Sequence, residues 1–484
     1  MHSINRRRFL EDTMLATAAM AASQVASPLL AEEKSSGAPS NRVRVAILGC
    51  RIRGKQHVAE LAKIPDCEIT YVCDPDKDLA SELATLVEKQ QPGKAPTAVQ
   101  DMRKVFDDTS VDAVFICTPN HWHSLAGIWA MQSGKDAYVE KPVSHNISEG
   151  RRLVQAAKKL GKICQGGTQN RSNMALAEAI EYMQAGKLGE VKLARSIIYG
   201  VRNTIGPKGT YEVPKQVDYD LWAGPAPLSP LTRPTFHYDW HWDWQTGNGE
   251  LGNNNIHSLD ICRWGLGVNG LGKSVISYGG RFGYVDAGET PNTQVCIFDF
   301  GEKTIVSETR GLRCKPFREG FNGGWLFHGT EGSIAGNSLF DPEGKLISTF
   351  AGKQPSESHF ANFLKAVRSR KQEELNAPIV EGHQSTALCH AGNISWRLGK
   401  EASPVEVREA ITQLKVHDNV QDTLDRTIVH LKEHDVDVTK NKFVLGVVLH
   451  PDSEKESFPD NEQANTFLTR EYRKPFVVPA ENAI

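Results

Sequence analysis

The chain has 484 residues, with 56 lysines and arginines against 58 aspartates and glutamates, for a formal net charge of -2. That length predicts two or three domains, and the near-neutral balance excludes an electrostatic grip on nucleic acid or on an anionic membrane surface. With 24% charged and 39% hydrophobic residues, the bulk reads as globular.

Residues 1–31 carry Asn5-Arg6-Arg7-Arg8-Phe9-Leu10, an alanine-rich apolar run from Met14 to Ala22, and small residues from Ala26 to Ala31. This pattern predicts a signal peptide of the twin-arginine type and a periplasmic location. The apolar run is too short to stay in a bilayer, and no other segment reaches the ~20 apolar residues of a span. Residues 32–42 read as a solvated linker. All nine cysteines follow the signal, none forms a CxxC pair, and their number is odd, so reduced, mostly buried thiols are expected.

From 43 to 166 short apolar runs alternate with helical stretches. The expected strands are Val43–Leu48, Ile69–Cys73, Ala113–Cys117, Ala137–Val139 and Ile163–Gln165; the expected helices include Pro75–Lys89, His123–Gly134 and Ser148–Leu160. Near-continuous apolar strands separated by helices predict a doubly wound parallel sheet of the Rossmann type. From 167 to 355 the pattern turns β-rich, over Glu190–Tyr199, Lys273–Val285, Gln294–Phe300, Thr304–Arg310 and Trp325–Ala335, with a hairpin turn at Gly301-Glu302 and a helix from Ile256 to Leu266. Consecutive strands predict a large, open, mainly antiparallel sheet in an α+β domain. Helical periodicity returns over 356–410, expected to pack back on the first domain, and 411–484 reads as an extension wrapping the surface.

The first strand runs into Gly49-Cys50-Arg51-Ile52-Arg53-Gly54. Glycine at 49 permits a sharp turn, glycine at 54 permits close helix packing, and the amides at Arg51, Ile52 and Arg53 open a helix whose dipole suits a pyrophosphate. The central glycine of GxGxxG is replaced by Arg51, so Arg51 or Arg53 is expected to contact phosphate directly. Asp74 ends the second strand, where a carboxylate accepts ribose hydroxyls and repels a 2′-phosphate. That favours NAD, while Lys77 nearby leaves NADP open. Cys117-Thr118-Pro119-Asn120-His121-Trp122-His123 follows a strand at the carboxyl edge of the sheet; Thr118, Pro119, Asn120 and His123 are candidate cofactor contacts. His121 and His123 stand too close along the chain to converge on one ion. If export proceeds in the folded state, a nucleotide must travel with the protein and be held tightly.

Several spaced motifs then coincide: the glycine turn, Asp74, Cys117-Thr118-Pro119-Asn120-His121, Glu140-Lys141-Pro142, Gly167-Thr168-Gln169-Asn170-Arg171 and Gly252-Asn253-Asn254-Asn255-Ile256-His257-Ser258-Leu259-Asp260. In their order and spacing, over roughly residues 43–400, the chain resembles the glucose-fructose oxidoreductase/inositol dehydrogenase/MocA family. The resemblance implies that Lys141 stands beside nicotinamide and the substrate hydroxyl, and that His257 is the catalytic base. It places Glu140 and Gln169 on the cofactor side and Arg171 on the substrate side. Asp260 shares a helix face with His257 and is either a substrate contact or a structural partner. Asn253 occupies a position where hydride-transferring members commonly carry Asp; an amide cannot accept a proton or balance an imidazolium. Members usually pair through the outer face of the second-domain sheet, so a homo-oligomer is expected.

Phe236-His237-Tyr238-Asp239-Trp240-His241-Trp242-Asp243-Trp244 offers aromatic faces and carboxylates suited to sugar recognition, with Trp240 and His241 as candidate substrate contacts; the same run also suits a hydrophobic anchor. His237 and His241 have metal-pair spacing, but the surrounding tryptophans favour packing, and no metal site is expected. The leading expectation is an exported NAD(P)-dependent oxidoreductase acting on a sugar hydroxyl. A glycosidase with a recycled cofactor is the second, since Thr246-Gly247-Asn248-Gly249-Glu250-Leu251 resembles exported enzymes of that kind. A non-catalytic sugar-binding protein is the third.

Overall fold

Val43, Val45, Ala46, Ile47 and Leu48 present apolar groups to both sides of their strand, and a strand like that must be covered on both faces. In the computed structural model, which describes residues 42–353 and 357–484, they form β1 (Val43–Leu48) within a six-stranded parallel sheet. Its other strands are β2 (Cys67–Cys73), β3 (Thr97–Val99), β4 (Ala113–Ile116), β5 (Asp136–Val139) and β6 (Cys164–Gly166), in the order β3-β2-β1-β4-β5-β6. The order reverses between β1 and β4, which opens a crevice at their carboxyl ends. Every expected strand is present; β3, three residues with an exposed threonine, is too short to leave a periodic signal. The stretch expected to be a signal peptide, and all of the expected linker except Arg42, lie outside the described residues.

Two glycines set the crevice. Gly49 has φ +96, and a Cβ there would lie 2.6 Å from the Cys117 carbonyl. At Gly54 a Cβ would lie 2.1 Å from the Gly49 carbonyl oxygen, so the Ile52–Leu61 helix can approach β1 only without a side chain.

The second sheet has ten strands: β7 (Val191–Tyr199), β8 (Ser274–Gly280), β9 (Thr293–Asp299), β10 (Thr304–Arg310), β11 (Gly324–Gly329), β12 (Gly332–Ala335), β13 (Ser338–Phe340), β14 (Leu346–Thr349), β15 (Lys400–Ala402) and β16 (Phe443–Leu445). Their order is β14-β13-β12-β11-β7-β10-β9-β8-β16-β15, antiparallel except for the parallel pair β7/β10. The expected turn at Gly301-Glu302 joins β9 to β10, with Gly301 at φ +86. Trp325–Ala335 is a hairpin rather than one strand, because Gly329 and Gly332 bracket a turn at Thr330-Glu331.

Helices of the same chain pack on both faces of this sheet. The Met174–Gln184, Ile256–Leu266 and Ile379–Arg397 helices cover one face, with Leu259, Ile305 and Phe327 in the core between. On the other face Val407, Ile411, Leu424 and Leu431, from the Pro404–Thr412 and Val420–Lys432 helices, pack on Ile276, Ile297 and Val306. Residues beyond 410 thus do more than wrap the surface: they complete a core and contribute β16 to the sheet. The His359–Ser369 helix packs back on the first sheet as expected, through Phe360, Phe363 and Leu364. All nine cysteines are free thiols, and no described helix is long and apolar enough to cross a membrane.

Replacing Gly54 by Ala should destabilise the fold by about 3 kcal/mol, read as a lower urea midpoint, because backbone must move. Gly200→Ala, where a Cβ meets open space, should change stability by less than about 0.5 kcal/mol.

Candidate active site

A cleft of about 300 Å³ opens at the carboxyl ends of β1 and β4, walled by the glycine turn, Asp74, Thr118, Pro119, Asn120, His123, Glu140, Lys141, Arg202, Trp222, His237, Tyr238, Trp240 and Asn253. On its nucleotide side no side chain caps the Ile52–Leu61 helix, so its first amides face the turn. Asp74 Oδ2 accepts from the Cys50 amide at 2.8 Å and Oδ1 from the Asp76 amide at 2.9 Å. Burial raises its carboxyl pKa to about 6 against the pull of those amides. Arg51 Nη1 and Thr118 Oγ1 are buried in the same wall with no hydrogen-bond partner among the described residues.

Deeper in, the Glu140 carboxylate is a hub. Its Oε1 accepts from Arg53 Nε at 2.6 Å, His57 Nε2 at 2.9 Å and Gln169 Nε2 at 3.0 Å, and Oε2 accepts from the Lys141 amide at 3.3 Å. Burial works to raise this carboxyl, but Arg53 and His57 outweigh it and hold it well below the usual carboxylate range. Donation from Nε2 leaves His57 Nδ1 to accept from the Cys117 thiol at 3.3 Å. Next in the chain, Lys141 Nζ donates to the Asn253 carbonyl at 2.5 Å. Burial lowers the Lys141 ammonium to about 8; Glu140 pulls it up, and Arg53 and Arg202 push it down. The Lys141–Pro142 peptide is cis.

Asn253 sits in a π-helical turn, Leu251–Asn255, that leads straight into the Ile256–Leu266 helix. Such turns displace side chains from the regular helical rows and are frequent at functional sites. Asn253 Nδ2 donates to Glu250 Oε1 at 3.0 Å, and Arg202 Nη2 donates to Glu250 Oε2 at 3.0 Å. His257 follows Asn253 by one turn. Burial, and then the nearby Lys141 ammonium, lower its imidazole to about 3, so it stays neutral. The structure therefore puts Lys141 and His257 within electrostatic reach of each other, and both within reach of Glu140.

The aromatic run divides between two jobs. Phe236, Trp222 and Leu231 form a small core with Trp240 packed against it, while Trp240, His237 and Tyr238 also wall the cleft. Tyr238 holds φ 71, a strained value for a residue with a side chain. His237 Nε2 bonds Asp76 Oδ2 at 3.0 Å and so pins this loop to the cap of the Lys77–Gln90 helix.

A family model for the oxidoreductases with an NAD-binding Rossmann fold matches residues 43–168, and its companion for the C-terminal alpha/beta domain matches residues 206–431. The chain belongs to the Gfo/Idh/MocA oxidoreductase family. Among curated relatives it is 30% identical over 198 residues to glycosyl hydrolase family 109 protein 1 of Akkermansia muciniphila, a match covering 34% of this chain and 41% of the relative. It is 32% identical over 153 residues to the NAD-dependent scyllo-inositol 2-dehydrogenase of Bacillus subtilis, covering 31% and 42%. The matched stretches thus span about two fifths of those relatives. Among solved structures, the WlbA dehydrogenase of Bordetella pertussis with NADH and UDP-GlcNAcA, and a levoglucosan dehydrogenase with NADH, each share the fold. Each has a TM-score of 0.54 at 19% identity, over 72% of this chain and 95% of theirs.

NAD is thus the cofactor of this Gfo/Idh/MocA chain, and the residues present fit it. Gly49 and Gly54 bring the turn and the helix closer to neighbouring backbone than any Cβ would allow, which sets the shape of the cradle. Arg51 and Thr118 offer buried polar atoms with no other partner. Asp74 keeps acceptor capacity beyond its two amides, as a ribose diol requires.

Several residues singled out in the sequence take other posts. Arg53 serves Glu140 rather than standing free for phosphate, although it lines the cleft. Gln169 lies behind the wall and donates to Glu140 and to Tyr138 Oη. Arg171 grips Asp260 through Nε and Nη2 at 2.8 and 2.9 Å, buried away from the cleft, and Ser385 Oγ completes the Asp260 shell at 2.6 Å. Of the two readings open for Asp260, the structural one describes its contacts. His241 is also behind the wall, with Nδ1 against the Tyr238 carbonyl at 2.7 Å and Nε2 3.7 Å from Glu250. His123 reaches the wall, but both its nitrogens face carbonyls, of Pro142 and Thr118. The Asn120 amide donates to Asn248 at 3.0 Å. Sequence reasoning gave no site role to Glu250, although it lies in the Thr246–Leu251 segment, and missed Arg202, which follows the end of β7 and pairs with Glu250 only in the fold.

Asp260→Asn should cost about 1.5–3 kcal/mol of stability by weakening charge-assisted bonds to Arg171, which keeps Glu381 at 3.2 Å, measured by urea unfolding, while NAD affinity of the folded variant stays unchanged. NAD affinity itself should fall as pH drops through about 6. Protonation there replaces a ribose-accepting oxygen of Asp74 by a hydroxyl, and Asp74→Asn should flatten that part of the titration.

Proposed function

We propose that the protein is an NAD-dependent oxidoreductase acting on a hydroxyl of a sugar or sugar derivative, with Lys141 as the group that handles the hydroxyl proton. The observation that carries this reading is the Lys141 amine, lowered to about 8 at the inner end of the NAD-binding cleft. An amine near neutrality accepts a proton in one direction and returns it in the other. When bound, the nicotinamide ring supplies hydride exchange. The protein's own part is to place the sugar and move its proton. The Asn253 carbonyl holds Lys141 Nζ by one of its three N–H bonds and leaves the others for a hydroxyl.

His257 is the partner base in this reading. It is kept uncharged while Lys141 carries a proton, so only one of the two is cationic at a time. Asn253 lacks the carboxylate common in relatives, but its side chain reaches Glu250, whose charge acts on Lys141 from the same side. Tyr238 and Trp240 offer apolar faces for the CH surface of a ring, and Arg202 a donor for its hydroxyls.

A second reading is favoured by the family 109 relatives: net hydrolysis of a glycoside with no net change in cofactor oxidation state. Release of a chromogenic aglycone without accumulation of reduced nicotinamide separates it from simple dehydrogenation. We also infer export by the twin-arginine route, on the strength of Arg6-Arg7-Arg8-Phe9-Leu10 and the alanine-rich run behind it. This implies an NAD that stays bound through purification and is released only on denaturation.

Lys141→Ala should retain NAD but lower sugar-dependent reduction of it by roughly 10²–10⁴-fold. For the wild type, the oxidation rate should climb with pH through about 8, as Lys141 loses its proton, and the climb should vanish in the variant. Normal turnover by Lys141→Ala would remove the lysine from the mechanism.

A further inference from the structure

A second cleft, of about 290 Å³, lies on the far side of the large sheet, between the ends of β7 and β10 and the Val420–Lys432 helix. Its walls include Tyr199, Arg310, Lys315, Phe317, Arg426 and His430. Arg310 is 8% exposed and His430 1%. Nε and Nη2 of Arg310, and both ring nitrogens of His430, are buried with no hydrogen-bond partner among the described residues. Four orphaned nitrogens in one pocket are costly, since each has lost water without replacement.

The charges around the pocket leave Arg310 as the odd one out. Glu308 is fully engaged: Arg195 Nη1 donates to it at 3.1 Å, Arg426 donates through two nitrogens at 2.8 and 3.0 Å, and Tyr199 Oη donates at 2.9 Å. Asp418 takes the other end of Arg195, and Asp422 takes Arg426 Nε at 2.9 Å. At the rim, Glu433 pairs with Lys315 at 2.6 Å and Asp425 with Arg408. Arg310 comes no nearer than 3.6 Å to a carboxylate oxygen and rests its guanidinium on the Tyr199 ring, 4.5 Å from the centroid. Its two vacant nitrogens form the same edge with which Arg171 grips Asp260, the edge that fits two oxygens of one anion.

We infer that this cleft binds a small molecule carrying a carboxylate or phosphate, with Arg310 as its anion receptor and His430 as a second contact. The aromatic walls of Tyr199 and Phe317 suit an apolar or ring portion of that molecule, and the cleft is at the small end of ordinary ligand sites. The site is separate from the NAD cleft, and it does not rest on the proposed activity.

The test is isothermal titration of the full chain with NAD saturating, so that the first cleft is filled. Inorganic phosphate is the probe in one arm and succinate in the other, with chloride holding ionic strength constant. One arm should saturate at a single ion per chain, and which arm does so tells phosphate from carboxylate recognition. Arg310→Met should weaken that binding by roughly tenfold or more, the loss of a paired charge-assisted contact. If Arg310→Met does not fold, His430→Gln, which keeps a polar group of similar size, decides: it should weaken binding and reduce the thermal stabilisation that the ion gives the wild type. Saturation in neither arm, or unchanged affinity in the folded variants, overturns the site.

Discussion

One buried carboxylate organises the active cleft. Glu140 leaves β5 with its charge surrounded by the Arg53 guanidinium, His57 and Gln169. A lone carboxylate in that position would take up a proton; three donors make the anion the stable form. The consequence is geometric as well as electrostatic. Arg53 and His57 belong to the Ile52–Leu61 helix, so the same contact clamps the phosphate-facing helix to the strand that carries Lys141. The glycine-turn helix and the segment carrying Lys141 are therefore held by one set of bonds.

Lys141 sits next to that anion and yet has a lowered pKa, because burial and the cations Arg53 and Arg202 together outweigh the neighbouring carboxylates. Fixing the amine against the Asn253 carbonyl ties the first domain to the π-turn of the second. That turn is held from behind: Asn255 Nδ2 donates to Thr309 Oγ1 of β10 at 2.9 Å, and Ser196 Oγ of β7 donates to Asn255 Oδ1. The parallel β7/β10 pair is thus the backstop of the site, and the side chains alternating with Ser196 and Thr309, namely Arg195, Glu308 and Arg310, fill the opposite face.

An open sheet with a bare apolar face exposes a patch that must be covered. Over β8, β9 and β10, residues 404–445 supply that cover within the same chain. The charge of this stretch hid its role, because helices such as Val420–Lys432 alternate a narrow buried stripe with a solvated one.

The sequence by itself determined the Rossmann half almost residue by residue. Buried parallel strands have to be continuously apolar, and Gly49, Gly54 and Asp74 perform backbone and cofactor tasks that few other residues can. It also determined the family, through motifs whose order survives in one dimension, and it singled out Lys141 and His257, which the structure brings within electrostatic reach of each other. Tertiary structure alone decided which charges face the cleft. Arg171 and Asp260 neutralise each other in the core, Gln169 and Arg53 turn to Glu140, and Glu250 with Arg202 come in from distant segments. A side chain's partner is set by the packing of elements far apart in the chain, and the energy of a buried charge depends on that partner more than on the residue's own identity.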